Sequence, residues 1–100
     1  MIKELTDSTF DASVNENSGT VLVDFSATWC SPCKALEPVI EKVAAEGVVV
    51  FKVDIDDCPK LVERFSIRSV PTVAAFKDGK LVNKTVGLVN KDALVKLASV

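Results

Sequence analysis

The chain has no histidine. That absence excludes Cys-His and Ser-His nucleophilic sites and any His-ligated metal centre. It also removes the usual general base at neutral pH, so acid–base chemistry falls to a carboxylate, a lysine or a thiol. Cysteine is scarce, with three residues, too few for a disulfide scaffold and odd in number, so one is left over if the other two bridge. Basic excess is missing as well. Twelve Lys and Arg against fourteen Asp and Glu give a net charge of −2, which supplies neither the phosphate neutralisation a nucleic-acid binder needs nor attraction to an anionic membrane. No run approaches the roughly 18 apolar residues of a membrane span. Lys3, Glu4, Asp7, Asp11 and Glu16 interrupt the first twenty residues, so no signal-peptide apolar core is expected in this chain. A reducing cytoplasmic setting is the expectation that follows.

What is present suits one domain over residues 1–100. A chain of this size buries roughly 60 to 70% of its unfolded surface, and 48% apolar residues supply a core without metal or disulfide staples. Ile2 to Leu5 reads as a short strand. Thr6-Asp7-Ser8 offers capping side chains for a helix carrying Phe10 and Val14 on one face. Thr20 to Ser26 is a β-branched apolar run, as in a strand covered on both faces. A helix is predicted from Pro32 to Glu46, with Leu36, Val39, Ile40 and Val43 at three- and four-residue steps, a kink at Pro38 and a stop at Gly47. Val48 to Ile55 reads as a second buried strand and Pro59 to Phe65 as a short helix. Thr72 to Phe76 and Leu81 to Val86 flank the hairpin signal Asp78-Gly79. Asn90 caps a last helix bearing Leu94, Leu97 and Ala98 on one stripe. The order β-α-β-α-β-α-β-β-α implies an α/β fold with one mixed central sheet and helices on both faces.

Cys30 and Cys33 fall where the first buried strand gives way to a helix, the usual place for an active site in an open α/β sheet. A helix N-terminus stabilises a thiolate at Cys30, and a residue three positions on shares its face. The pair therefore reads as a redox couple, with Pro32 stiffening the intervening dipeptide. Half of a zinc site is the competing reading, but only Cys58 remains to complete it. Cys58 itself precedes Pro59, where it is expected to cap the short helix with a lowered pKa, either as an incidental small residue or as a regulatory thiol.

The chain resembles the thioredoxin family along its whole length, a family that is also the standard example of this Cys-x-x-Cys chemistry. The matching stretches are Val23-Asp24-Phe25, Ala27-Thr28-Trp29-Cys30-Ser31-Pro32-Cys33-Lys34, Lys52-Val53-Asp54-Ile55-Asp56, Ile67-Arg68-Ser69-Val70-Pro71-Thr72, Phe76-Lys77-Asp78-Gly79 and Val86-Gly87. The resemblance implies the thioredoxin fold and a general protein-disulfide reductase. It implies disulfide-containing protein substrates, a separate reductase as electron donor, and a monomer; no bound cofactor or metal is expected, since no Gly-rich phosphate loop appears and too few ligands remain for zinc. Cys30 is implied as the attacking thiol and Cys33 as the resolving one. Asp24 is implied as the proton acceptor and donor for Cys33, Lys52 as the group tuning it, and Pro71 as a cis-proline facing the pair. Trp29, Ser31, Pro32, Val70 and Gly87 are implied as the surface that receives partner chains.

Each residue also has a plainer reading. Asp24 can sit at a strand edge with its side chain in solvent; buried, its pKa should rise. Lys52 can be a surface residue and Trp29 plain core. Only about 5% of X-Pro bonds are cis, so the local sequence alone favours a trans Pro71. Gly87 can serve a close approach or a positive φ. Ser31 and Ser69 stand where the family usually has Gly, and Ser26 where many members have an aromatic residue, so redox potential, partner surface and packing beneath the pair are expected to differ. A disulfide oxidase or isomerase and a non-catalytic module on the same fold are the rival functions.

Overall fold

The computed structural model describes residues 2–100. Nine elements follow one another along the chain: β1 (Lys3–Leu5), α1 (Phe10–Asn15), β2 (Thr20–Ser26), α2 (Ser31–Ala45), β3 (Val50–Asp54), α3 (Pro59–Arg64), β4 (Thr72–Lys77), β5 (Lys80–Val86) and α4 (Lys91–Ala98). Type and order match the expectation from the sequence. They build a single five-stranded sheet in the order β1-β3-β2-β4-β5. β1, β3 and β2 run parallel, while β4 is antiparallel to β2 and β5 to β4.

β2 is central because its residues can be buried on both faces. Val21, Val23 and Phe25 point to one side with Phe10, Val14, Leu61 and Phe76. Leu22 points to the other with Leu36, Ile40, Val43, Leu94 and Leu97. Helices α1 and α3 therefore cover one face and α2 and α4 the other. Each of these leucine, isoleucine and phenylalanine side chains contributes about 1.5 to 3 kcal/mol by leaving water. On the first face Phe10, Phe65 and Phe76 meet with ring centroids 4.9–5.3 Å apart. Arg64 lies over the Phe65 ring at 4.8 Å and pairs with Asp11 at 2.9 Å, sealing that cluster at the surface.

β5 closes the sheet as an exposed edge strand studded with Lys80 and Lys84, charges that discourage further strand pairing. The turn into it uses Asp78 and Gly79, both at positive φ (53° and 80°), which the tight hairpin requires at both central residues. Helix α4 starts as the sequence indicates, the Asn90 side chain accepting the Ala93 N–H at 2.9 Å. β3 is shorter than the apolar run Val48 to Ile55, because pairing begins only where the chain enters between β1 and β2 (Lys3 opposite Phe51, Leu22 opposite Val50). Helix α2 continues through Pro38, which cannot donate the i→i−4 bond at that turn.

Two capping expectations are corrected. Thr6-Asp7-Ser8 does not cap α1, which begins after Thr9 with no side-chain cap bond. Instead the Asp7 carboxylate reaches across the chain and accepts the Leu61 N–H of α3 at 3.1 Å. Cys58, at the N-cap position of α3, makes no cap bond either. Its thiol points inward toward the Leu5 carbonyl at 3.7 Å. Asp7 thus takes the role expected of Cys58 and ties β1 to α3. Asp7→Ala is expected to lose about 1 kcal/mol, with Asp7→Asn restoring most of it because the amide oxygen still accepts. Urea midpoints of the two variants check this, and equal loss in both contradicts a hydrogen-bond role.

Candidate active site

The site is assembled where β2 ends and α2 begins. Cys30 is the N-cap of α2, in extended conformation, and its sulfur accepts the Cys33 N–H at 3.2 Å. The first turn of the 15-residue helix carries no acidic residue, so nothing there opposes the partial positive charge of the helix end. Pro32 lies in that first turn, where its missing N–H leaves no bond unmade. The two sulfurs are joined as a disulfide, with Cα atoms 5.2 Å apart. Both cysteines are buried and pack with Ala27, Ile55 and Val70. Opened to the dithiol, Cys30 has the better provision for a thiolate, a helix end and an N–H donor aimed at its sulfur.

Around the pair lies a surface built by distant segments. Trp29 is 66% exposed and is not core. Its indole N–H donates to Asp56 at 2.9 Å, and the Asp56 N–H in turn donates to Asp54 at 2.9 Å. Ser31 and Pro32 are exposed beside it. The Val70-Pro71 bond is cis, and the Val70 carbonyl lies 3.8 Å from the Cys30 sulfur. The Gly87 N–H donates to the Pro71 carbonyl at 2.8 Å. Gly87 has φ of 88° and open space where a Cβ would stand; backbone conformation, not crowding, calls for glycine there. Trp29, Val70, Pro71 and Gly87 therefore frame one face.

Asp24 follows from the alternation of β2. Leu22 packs under α2, and Asp24, two residues on, faces the same helix. It is 2% exposed and its Oδ1 has no hydrogen-bond partner. Burial pushes its carboxyl up from 3.8 to about 6; nearby Lys52 opposes that rise and Glu37 adds to it. The register places Lys52 directly beside Asp24 on β3, yet the Lys52 ammonium pairs with Glu37 of α2 at 3.6 Å. A cleft of about 510 Å³ between sheet and α2 is lined by Glu4, Asp24, Lys34, Glu37, Glu41 and Lys52, with Ile2, Pro38 and Ile40. Ser26, where an aromatic residue was the family expectation, is buried and lines an adjoining cleft with Thr28 and Asp54.

Sequence reasoning missed Asp56 and Glu37. Asp56 had a signal in the acidic run after β3. Glu37 had one in sitting a helical turn beyond Cys33, on the side that meets the cleft. Cys58 is not part of the site. It is unpaired, 0% exposed, and its pKa is raised by burial and by Asp7, the reverse of the lowering expected at a helix cap. Glu4, Asp54 and Asp57 bring carboxylate oxygens within 4.8 Å of one another, a solvated acidic group with no buried ligand aimed into it.

Residues 1–99 match the family model described as Thioredoxin. A thioredoxin of Chlamydia trachomatis is 55% identical over 84 residues, covering 82% of either chain. A thioredoxin of Staphylococcus aureus is 43% identical over 99 residues, covering 96% of this chain and 93% of the relative. In three dimensions a point-mutant thioredoxin from Halobacterium salinarum NRC-1 aligns with a TM-score of 0.87 at 37% identity, covering 97% of this chain and 88% of that one.

Proposed function

The chain belongs to the thioredoxin family, and we propose that in the thiol–disulfide exchange this family performs, Cys30 attacks and Cys33 resolves. The protein is a thiol–disulfide oxidoreductase that works through its own cysteine pair. Family membership brings disulfide-bearing substrates and a reductase as partners in general.

In the proposed sequence the Cys30 thiolate attacks one sulfur of a substrate disulfide. The Cys30–substrate disulfide forms, and the other substrate sulfur leaves as a thiolate and takes a proton from water. Cys33 then gives its proton to the Asp24 carboxylate and attacks the Cys30 sulfur. The Cys30–Cys33 disulfide forms, the second substrate thiolate leaves, and two electrons have passed to the substrate. Asp24 returns its proton to solvent or to the leaving thiolate through the cleft. Its raised pKa suits this duty, because a group titrating near 6 can both take and give a proton at neutral pH.

The observation that carries this assignment is the Cys33 N–H held to the Cys30 sulfur at the first turn of α2, an arrangement that favours charge on Cys30. Lys52 is proposed to tune Asp24. Trp29, Ser31, Pro32, Val70, Pro71 and Gly87 are proposed to receive the substrate backbone across the framed face. We place the activity in one domain, because a single sheet runs through β1 to β5. A monomer in a reducing cytoplasm is the setting proposed. An odd, unpaired cysteine suits such a compartment, and no helix among the described residues is long and apolar enough to cross a membrane.

The direct check is reduction of insulin by the oxidised protein with dithiothreitol as electron source. Precipitation of the insulin B chain well ahead of the dithiothreitol control is the expected outcome, and no acceleration overturns the reductase assignment.

A further inference from the structure

Among the charged groups of the cleft under α2, Asp24, Glu37 and Lys52 form a set whose pairing is not the one the sheet suggests. β3 sets Lys52 beside Asp24 in register, on the same face. Nevertheless the ammonium leans outward to Glu37, at 3.6 Å, and among the described residues Asp24 makes no ion pair. One oxygen of Asp24 is buried with no partner at the floor of an open cleft. Such an arrangement is costly for a charged carboxylate and favourable for a protonated one. Glu37 sits on α2 one turn beyond Cys33, so a single helix presents both the thiol and the carboxylate that competes for Lys52.

We propose that Glu37 is a positioning residue for proton transfer. By pairing with Lys52 it draws the ammonium off Asp24, and so keeps Asp24 ready to take and return the proton of Cys33. The role rests on the reading of Asp24 as the proton group of the resolving step. The other charged groups facing this space are Glu4 from β1 and Lys34 and Glu41 from α2, with Asp54 of β3 in the adjoining cleft that Glu37 and Lys52 also line, while β4 brings the neutral Val73 opposite Asp24. Of the carboxylates on α2, Glu37 is the one that pairs with Lys52. Removing its charge acts on Asp24 in one direction twice over. A nearby negative charge is lost, and Lys52 is freed to swing to Asp24. Both changes favour the ionised carboxylate.

The test is a titration of the Asp24 carboxyl carbon by NMR in the oxidised protein. In Glu37→Gln, a substitution at a half-exposed side chain that preserves shape, the midpoint is expected to fall by about 0.5 to 1 pH unit. In a Lys52→Gln background the same substitution should move it less than half as far, because the ammonium that Glu37 holds is gone. An unmoved midpoint in Glu37→Gln overturns the proposal, as does an equal fall in both backgrounds. A second readout follows the attack of Cys33 on a preformed mixed disulfide. The acid limb of its rate against pH should move down with the Asp24 midpoint. If Asp24→Asn leaves that limb in place, the role of Asp24 fails, while the NMR titration still decides whether Glu37 controls Lys52.

Discussion

Replacing Cys33 by serine is expected to stop turnover and leave the protein covalently attached to its substrate through Cys30. The geometry explains the size of the effect. Cys30 and Cys33 are held one helical turn apart with Cα atoms 5.2 Å from each other. An attack inside such a preformed pair has an effective concentration far above that of any thiol in solution, so turnover should fall by about 10³-fold or more once the second thiol is gone. The first step is untouched, since the helix end and the residue 33 N–H still stabilise the Cys30 thiolate. The mixed disulfide should therefore accumulate and be visible by mass spectrometry. Cys30→Ser should give no such adduct. Attachment through Cys58 would overturn the assigned roles, and the structure argues against it. That thiol is fully enclosed, directed at the Leu5 carbonyl, and burial raises its pKa, so little thiolate forms there.

Asp24→Asn is expected to make the fold more stable at neutral pH and the enzyme slower. Burial raises the folded-state pKa of Asp24 from 3.8 to about 6. Between those values the folded protein holds a proton that the unfolded chain releases, so this residue's contribution to stability falls as pH rises. The contribution is fully present below about pH 4 and lost once the pH has passed about 6. The displacement corresponds to about 3 kcal/mol at pH 8, an upper figure for a carboxylate that reaches water through a cleft. The amide carries no charge at any pH. Urea unfolding at pH 4 and pH 8 should accordingly show the variant level with the parent at pH 4 and more stable at pH 8. No difference at pH 8 would mean that the ionised carboxylate is well solvated after all. The same substitution should slow the resolving attack of Cys33, measured on a preformed mixed disulfide, because the proton acceptor is gone. Stability gained where activity is lost is the pattern expected of a residue kept for chemistry.

Much of this was legible in the chain. The element order followed from hydrophobic period and punctuation. Leu36, Ile40 and Val43 marked the buried stripe of α2, Asp78-Gly79 marked the hairpin, and Asn90 marked the start of α4. Each of these signals is local, a capping oxygen, a turn or a face, and local signals survive in a linear reading. Cys30 and Cys33 were legible for the same reason, since strand, helix start and both thiols lie within a few residues.

The misses are all contacts between segments far apart in sequence. Asp7 looked like a cap for the helix beside it and instead caps α3, 54 residues away. Cys58 looked like a helix cap with an activated thiol and proved sealed in the core. Asp56 anchoring Trp29 and Glu37 taking Lys52 depend on how β3 lies against β2 and α2.

What the sequence determined by itself is therefore the pair of thiols, the helix end that charges one of them, and the absence of any histidine to handle the proton. Only the tertiary structure decided how that proton is handled. It buried Asp24 in the central strand, left one of its oxygens unpartnered, and gave the ammonium of its register partner Lys52 to Glu37. Burial and pairing belong to the arrangement of strands in space, and a carboxylate's proton affinity depends on both.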